Sequence, residues 1–553
     1  MTAAVQPYGD SAVLVEVDDI DAAHHLYWAL TRSRAAGEGP PGVLDIVTGA
    51  SSVVVRFGPG TDRPGLVERW VGRLAGTPES APATATTGTT LDIPVAFDGP
   101  DLEEVAEVAG TTTAAVIGLL SGADLRVAFL GFSPGFPYLV GLPPELASIP
   151  RRSTPRTSVP AGSVAIGGGF ASVYPQSTPG GWQLVGRTSL SLFDPDRAPY
   201  ARLRPGDSVH LDDRTKDLSR PGPPPGPPPI PRPPLEATGS RYVEVVEPGL
   251  LSLIEDAGRR SVAALGIPEC GPADADTMRL ANRLAGNADD SATIEVTASG
   301  PTLRFTGDAH LAVVGIRPDG VEVRIDGLSA RSDTVLPIRH GQTVAIGPVR
   351  AGLRAYAAVA GGFATPTMVG SRSADMLCGL GPAPLTAGDE LDLGVPTRPH
   401  GRLSPPVGNG SAGVIRVIVG PHPFTASDRN RLTATGWTVG GDSNRIGLRL
   451  HAAGGPVPRV GPGIPSTAMV TGAIQVPPDG EPIVLMPDHA TVGGYPVIAC
   501  VITADLPKLG RFRPGDTVTF TTVDVDAARL LHRQQERALA ARVSGWYPTR
   551  AGT

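Results

Sequence analysis

The sequence predicts a mainly β protein that begins with a small α+β domain. Its 553 residues include 70 glycines and 59 prolines, and both residue types mark the tight turns that join short strands. The hydrophobic fraction of 41% and the charged fraction of 18% are typical of a folded globular protein. A prior of roughly 150 residues per domain predicts about four domains.

Residues 1–88 are predicted to form the α+β domain, because strand-like alternation and helical spacing follow one another within them. Asp18 or Asp19 is placed to cap the first helix. The predicted order is two strands, a helix, two strands and a second helix, over 3–17, 20–36, 43–48, 52–57 and 63–74.

Repeated β-barrel units are predicted for the rest of the chain, because one closing phrase recurs in it. It reads LRPGDSVHL at 203, IRHGQTVAI at 338, LTAGDELDL at 385 and FRPGDTVTF at 512. We interpret the phrase as a hairpin turn before an equivalent last strand. The predicted units are 89–213, 239–405 and 406–553, with helices near 101–108 and 112–120, one ending at Gly286, and a solvated C-terminal helix at 525–543.

A proline-rich linker is predicted at 214–238, where RPGPPPGPPPIPRPP cannot bury a core. Such a run adopts polyproline II and acts as a semi-rigid arm. The linker therefore separates two halves that could be separate proteins.

Composition excludes several classes of function. A net charge of -7 gives no basic footprint for nucleic acid, and the sequence has neither a signal peptide nor an apolar run long enough to span a membrane. We therefore expect a cytoplasmic protein that binds small molecules or proteins. Cys270, Cys378 and Cys500 are odd in number and far apart, which predicts buried thiols rather than disulfides or a zinc site.

Lysine is scarce, with only Lys216 and Lys508 in the chain. Neither lies in a Walker A loop, and neither has the neighbouring methionine of a biotinylated lysine. We expect no covalently bound biotin and no Schiff-base chemistry.

The stretch 130–188 is the first candidate site. Glycine, proline and aromatic residues alternate there, and Arg151, Arg152, Arg156 and Arg187 are its fixed cations. Guanidinium groups suit carboxylates and phosphates, which favours an anion site at a barrel mouth. A barrel wall with solvated arginines is the alternative.

Asp488 and His489 form the second candidate site, at the end of the apolar strand IVLM. His489 could act as a general base, with Asp488 orienting it or binding a substrate N–H. The alternative is a turn-stabilising aspartate and a surface histidine. Arg445, in SNRIGLRL, reads as part of a strand.

Two motif matches fail. The sequence GFSPG at 131–135 matches a nucleophile elbow, but Pro134 has no N–H for the oxyanion. The sequence GNGSAG at 408–413 matches a dinucleotide fingerprint, but it lacks a strand before it and a helix after it.

The N-terminal half resembles the family of the B subunit of bacterial 5-oxoprolinase, also called the Kip inhibitor or allophanate hydrolase subunit 1 family. The matching segments are YGDSAVLVEV, GFSPGFPYLVGLP, PRRSTPRTSVPAGSVAIGGG and YPQSTPGGWQLVGRT. The second half is similar to the family of the C subunit of 5-oxoprolinase, also called biotin-dependent carboxyltransferase, Kip-antagonist or allophanate hydrolase subunit 2. Its matching segments include GPADADTMRLANRLAGN, EVTASGPTLRF, SNRIGLRL and GAIQVPPDGEPIVLMPDHATVGGYP.

The resemblance implies cyclophilin-like β-barrels after the small α+β domain, and ATP-dependent opening of 5-oxoproline to glutamate with a separate A-type subunit. It implies that the protein uses ATP, with magnesium bound to the nucleotide, and that it binds a small anionic metabolite. The resemblance is also compatible with a homo-oligomer. Asp488 and His489 would be catalytic, with no metal ligand. Substrate- or nucleotide-binding roles would fall to Arg151, Arg156, Gly180, Gly181, Trp182, Arg187, Arg445, Thr491, Gly493, Gly494 and Tyr495.

Three positions depart from these families. Leu120-Ser121 stands where relatives of the B type have His-Ser or His-Thr, and Val497 and Arg511 stand where relatives of the C type have lysine and glutamine. Such departures predict altered chemistry if those residues are catalytic. Two other functions stay open, a urea-amidolyase or allophanate-type carboxyltransferase component and a non-enzymatic regulator of a histidine kinase.

Overall fold

A computed structural model describes residues 4–58, 65–76, 88–216, 235–317, 319–403, 413–452, 455, 457 and 463–546. The described residues are mainly β, which confirms the predicted fold class. The proline-rich run at 220–234 and most of the GNGSAG match lie outside them. No helix among the described residues is long and apolar enough to cross a membrane.

The N-terminal domain is a four-stranded antiparallel sheet covered by two helices. Its bounds are Ala4–Pro7, Ala12–Glu16, Val43–Thr48 and Ser52–Phe57 for the strands, and Ile20–Ala35 and Gly65–Ala75 for the helices. Asp19 is the N-cap of the first helix, since its side chain accepts the Ala22 N–H at 2.8 Å. The sequence therefore located both the strands and the start of this helix.

A seven-stranded sheet forms the first barrel. Its strands are Thr90–Val95, Leu125–Leu130, Pro137–Val140, Ser163–Gly167, Phe170–Val173, Gln183–Arg187 and Ser208–Asp213, with helices Leu102–Val108, Thr113–Ser121 and Pro144–Ala147 and a side ribbon of Arg156–Val159 with Thr178–Gly180. Ala96 and Arg187 exchange two backbone hydrogen bonds of 2.9 Å. These bonds join the two edges of the sheet and close the barrel.

Two sheets, of six and five strands, form the centre of the chain. The six strands are Tyr242–Glu247, Thr302–Phe305, Val321–Ile325, Leu328–Ala330, Thr343–Val349 and Glu390–Asp392; the five are Leu251–Glu255, Thr293–Thr297, Ala309–Val314, Val335–Ile338 and Arg354–Val359. The helix Ala275–Ala285 is capped by Asp274 and ends at Gly286, as predicted. Bridges at Ser299–Pro348 and Phe363–Leu393 link the sheets.

The last unit is a closed seven-stranded barrel. Its strands are Val414–Val419, Trp437–Val439, Gly447–His451, Ala473–Gln475, Ile483–Leu485, Val497–Val501 and Thr517–Thr522, beside the pairs Thr467–Ala468 with Val492–Gly493 and His400–Leu403 with Val543–Trp546. The helices are Ala426–Ala434, Leu506–Leu509 and Val525–Ala541. In both seven-stranded barrels the last strand along the chain pairs in parallel with the first.

The recurring phrase forms the same β-turn four times. Its glycines, Gly206, Gly341, Gly388 and Gly515, all have φ between 82° and 93°, as the third position of a type II turn requires. In each copy the next side chain, an aspartate or Gln342, accepts the N–H of the first turn residue at 2.7–2.9 Å. The hairpin interpretation was wrong, because the flanking strands do not pair with each other.

Contacts between the two halves are extensive. Tyr8, Leu14 and Val54 of the N-terminal domain share a buried cluster with Met469 and Leu485 of the last barrel. The C-terminal helix has a solvated face, as predicted, and its other face packs on the chain. Its Ala528 and Leu539 are buried, and its side chains bond to both halves. Arg529 bonds to Glu68 at 3.1 Å, and Glu536 to Arg279 at 2.6 Å.

The three cysteines are free and buried, as predicted. The predicted domain boundaries stay a prediction.

Candidate functional site

An aromatic wall covers one face of the first barrel. Phe136, Tyr138, Tyr174 and Trp182 are all at most 8% exposed, and their rings lie edge to face with centroids 5.1–5.7 Å apart. Burial raises the pKa of both tyrosines to about 12, although the charge of Arg151 opposes the shift. The two phenols therefore stay protonated and can donate hydrogen bonds.

Arg151 is the exposed cation of this wall. Its Cζ lies 5.7 Å from the centre of the Trp182 ring, which is a cation–π contact. Among the described residues it has no carboxylate within ion-pair distance. Arg151 is therefore the predicted anion-binding arginine that is best placed to accept a ligand.

Arg156 and Arg187 are already paired. Arg156 lies 2.6 Å from the buried Asp101, which also accepts Arg152 at 3.1 Å and the Leu184 N–H at 2.7 Å. Arg187 binds both oxygens of Asp98 at 2.6–2.9 Å. These carboxylates occupy the guanidinium groups that the sequence assigned to phosphate.

Gly180 and Gly181 lie on the ribbon beside Trp182. A side chain at Gly180 would collide with the phenol oxygen of Tyr174. Gly181 accepts the Arg152 N–H at 2.7 Å. In this position the glycines support the wall and the Asp101 cluster.

Arg445 and Asp488 form a buried ion pair below the second candidate site. The Nε and Nη2 of Arg445 lie 3.0 and 2.8 Å from the two oxygens of Asp488. The same guanidinium binds Glu295 at 2.7 Å and the Gly271 carbonyl at 2.6 Å. Asp488 is completely buried, and Arg445 is only 3% exposed.

Three further carboxylates surround this pair. Burial alone would raise the pKa of Glu295, but Arg445 and Arg354 lower it to about 2. Glu255 is 3.2 Å from Arg445, yet neither of its oxygens has a hydrogen-bond partner among the described residues. Burial first, and then Glu295 and Asp488, raise its pKa. Burial and Asp488 raise the pKa of Asp375 to about 6.

His489 faces away from Asp488. Its Nε2 lies 3.2 Å from the Thr471 hydroxyl and its Nδ1 lies 2.8 Å from the Ala490 carbonyl. Asp488 therefore does not orient His489 as the sequence interpretation allowed. Burial lowers the pKa of His489 to about 4, so the ring is neutral at pH 7.

The loop that follows His489 reaches the first barrel. Thr491 is buried and its hydroxyl has no partner among the described residues, Gly493 pairs with Thr467, and Gly494 accepts the Ile464 N–H. Tyr495 is 44% exposed.

Val492 packs against the aromatic wall with Phe136, Tyr174 and Trp182. Any side chain at Gly131 would collide with it. The structure therefore brings the loop that follows the second predicted site against the wall of the first.

The three departures have structural roles in this chain. Leu120 is fully buried in the first barrel core. Val497 is buried and donates its N–H to His422 at 3.1 Å, and Arg511 binds both oxygens of Asp274 at 2.7 and 3.0 Å. Glu255 and Glu295 were not predicted from the sequence, although each is the one charged residue of its strand.

Both halves match known families. Residues 3–203 match "Carboxyltransferase domain, subdomain C and D", and residues 265–522 match "Carboxyltransferase domain, subdomain A and B". The crystal structure of TTHA0988 superposes with a TM-score of 0.81 at 33% identity, covering 94% of this chain and 100% of that protein. The fold and the junction thus define a two-part carboxyltransferase-domain protein.

Curated relatives separate the two halves. The C subunit of 5-oxoprolinase from Escherichia coli K12 is 32% identical over 301 residues, covering 53% of this chain and 96% of that protein. The B subunit of 5-oxoprolinase from E. coli O157:H7 is 41% identical over 208 residues, covering 37% of this chain and 92% of that protein. Urea amidolyase of Lachancea kluyveri is 30% identical over 336 residues, covering 55% of this chain but 18% of that protein. The chain belongs to the family of the B and C subunits of 5-oxoprolinase and fuses both kinds.

Proposed function

We propose that this chain supplies the B and C components of an ATP-dependent 5-oxoprolinase and acts with a separate A-type subunit. The observation that carries the proposal is the junction at Val492. There the loop of the C-like half meets the aromatic wall of the B-like half. One chain thus holds together what the curated relatives divide between two subunits.

The reaction explains the need for ATP, because a five-membered lactam is an unreactive amide. Transfer of the γ-phosphoryl group from ATP to the lactam oxygen releases ADP and makes the ring carbon electrophilic. One water then adds to that carbon, and the C–N bond breaks to give an acyl phosphate. A second water releases phosphate and leaves glutamate.

Each group at the junction suits part of this task. Arg151 would bind the carboxylate of 5-oxoproline or a phosphate, because its guanidinium has no carboxylate partner among the described residues. The phenols of Tyr138 and Tyr174 stay protonated and supply donors. Arg156 and Arg187 would position the wall rather than bind phosphate, since Asp101 and Asp98 hold them.

His489 and Asp488 would have separate roles. Neutral His489 can accept a proton from water at pH 7. Asp488 would hold the loop in place through Arg445 rather than take part in proton transfer. Few cations are unpaired among the residues that the structure describes at the junction, so the nucleotide and its magnesium would also need groups from the A-type subunit.

The test is release of glutamate from 5-oxoproline by the full-length protein, with and without ATP and a co-purified A-type subunit. We expect glutamate only when all components are present, and at least a tenfold lower rate for Arg151→Ala. The exposed Arg214→Ala, whose partner is Asp212, is the matched control. Full activity of Arg151→Ala would remove this assignment.

A second function is favoured by the matches to a carboxyltransferase domain and to urea amidolyase. In that case the junction would accept a carboxyl group from carboxybiotin on a separate carrier. Biotin-dependent carboxyl transfer without glutamate formation would select this alternative.

A further inference from the structure

A cavity of about 580 Å³ lies where the N-terminal domain, the second half and the C-terminal helix meet. Its apolar lining includes Leu44, Phe57, Val470, Met486 and Leu506. A cavity of this size and lining suits a small organic molecule. It is lined by different residues from the aromatic wall of the first barrel, although its Thr471 contacts His489.

Carboxylates outnumber guanidinium groups in this lining. The five carboxylates belong to Glu269, Asp276, Asp289, Asp290 and Glu536, and the three guanidinium groups belong to Arg56, Arg260 and Arg279. Arg56 is paired with Glu269 and with Asp45, and Arg279 is paired with Glu536 and Asp289. The remaining charges are two carboxylates and Arg260, so the cavity keeps a negative excess.

Among the described residues, Asp276 has only a long ion pair, with Arg511. Arg511 gives both of its hydrogen bonds to Asp274 and is 3.9 Å from Asp276. Gln535 of the C-terminal helix donates a hydrogen bond to Asp276 but carries no charge. Burial, and then the neighbouring Asp274, raise the pKa of Asp276 to about 6. A cation beside this carboxylate would relieve both effects.

We propose that this cavity binds a small organic cation, a primary ammonium group on an apolar body. The ammonium lies beside Asp276, and the apolar part lies against Phe57, Val470 and Met486. The C-terminal helix completes the site, because His532, Gln535 and Glu536 line it. The inference is independent of the proposed lactam chemistry, whose substrate is an anion.

Isothermal titration calorimetry on the full-length protein at pH 7.5 tests this site, with hexylammonium, hexanoate and leucine as probes. We expect one saturable site for hexylammonium, no binding of hexanoate, and at least tenfold weaker binding by Asp276→Asn. Asp212→Asn, an exposed carboxylate on the first barrel, is the matched control and should bind like the wild type. Leucine binding that also requires Asp276 supports the proposal and identifies the ligand class as amino acids.

If Asp276→Asn lowers the melting temperature, a second variant tests the site. Ala257 is a half-buried residue of the lining. Ala257→Leu would narrow the cavity and must weaken hexylammonium binding as well. Three results would overturn the proposal: hexanoate binding as tightly as hexylammonium, hexylammonium binding that neither variant weakens, or binding of neither hexylammonium nor leucine.

Discussion

Replacing Arg445 by methionine should destabilise the second half strongly. The substitution keeps a similar apolar stem but removes the only cation that contacts Asp488 and Glu255 among the described residues. Glu295 would retain Arg354 at 3.1 Å, the Tyr356 hydroxyl at 2.6 Å and the Ala273 N–H at 2.8 Å. The variant therefore leaves two buried carboxylates without a cation, although Asp488 still accepts the Met376 N–H at 3.3 Å.

Removing one partner of a buried ion pair costs about 3–5 kcal/mol. With a urea dependence of about 2 kcal/mol per M, this loss lowers the unfolding midpoint by about 1.5–2.5 M. The loss should depend on pH. Since Arg445 and Arg354 hold the pKa of Glu295 at about 2, below its ordinary 4.5, its stabilisation is present above pH 4.5 and is lost as pH falls through 2. Burial raises the pKa of Glu255 and Arg445 opposes the rise. Without Arg445 this group protonates more readily, so the deficit of the variant should be larger at pH 7.5 than at pH 5.

Urea unfolding followed by circular dichroism at these two pH values measures the effect. Arg324→Met is the matched control, because Arg324 is 51% exposed and pairs with Glu322 at 2.8 Å. An exposed pair of this kind contributes about 0–1 kcal/mol. A midpoint for Arg445→Met within 0.5 M of that control, by the same estimate of about 2 kcal/mol per M, would refute the idea that this guanidinium holds the buried carboxylates together.

Three more outcomes are expected. The wild type should lose about 3 kcal/mol of unfolding free energy as pH falls from 6.5 to 4, because burial lowers the folded pKa of His489 to about 4. His489→Gln should remove this loss. Identical pH profiles of the two proteins would contradict the prediction. Arg156→Ala should lower the unfolding free energy by about 1.5–3 kcal/mol, because it removes a hydrogen-bond donor from the buried Asp101. Arg151→Ala should lower it by under about 1 kcal/mol and should instead reduce the rate of glutamate release. Urea unfolding and the glutamate assay together separate the two effects. Cleavage at a protease site inserted within 217–234 should leave the halves associated in size-exclusion chromatography, since Tyr8 and Met469 pack together across them; separate elution would show that the linker holds them.

The features that the sequence predicted correctly depend on local signals. Asp19 caps its helix because an aspartate just before helical spacing can accept an N–H of the first turn. The position of the turn at Gly206 and its three relatives followed from one glycine at a fixed offset, although the predicted hairpin does not form. The strands at 43–48 and 52–57 came from alternation alone.

The features that could not be predicted depend on distant pairs of residues. Arg156 and Arg187 look like phosphate ligands in isolation, and their carboxylates, Asp101 and Asp98, are 55 and 89 positions away. Arg445 contacts Glu295 across 150 positions. Nothing local indicates such partners, so the sequence could name the arginines of the stretch but not which of them already have a carboxylate partner.

The central claim is that the B-like and C-like halves form one site for lactam opening at the junction of Val492 and the aromatic wall. Glutamate production from 5-oxoproline and ATP, with an A-type subunit present, tests it through Gly131→Val, which forces the two surfaces apart at Val492. A folded variant with a modestly lower melting temperature and at least a tenfold lower rate is the predicted result. A folded variant with unchanged glutamate production would contradict the claim.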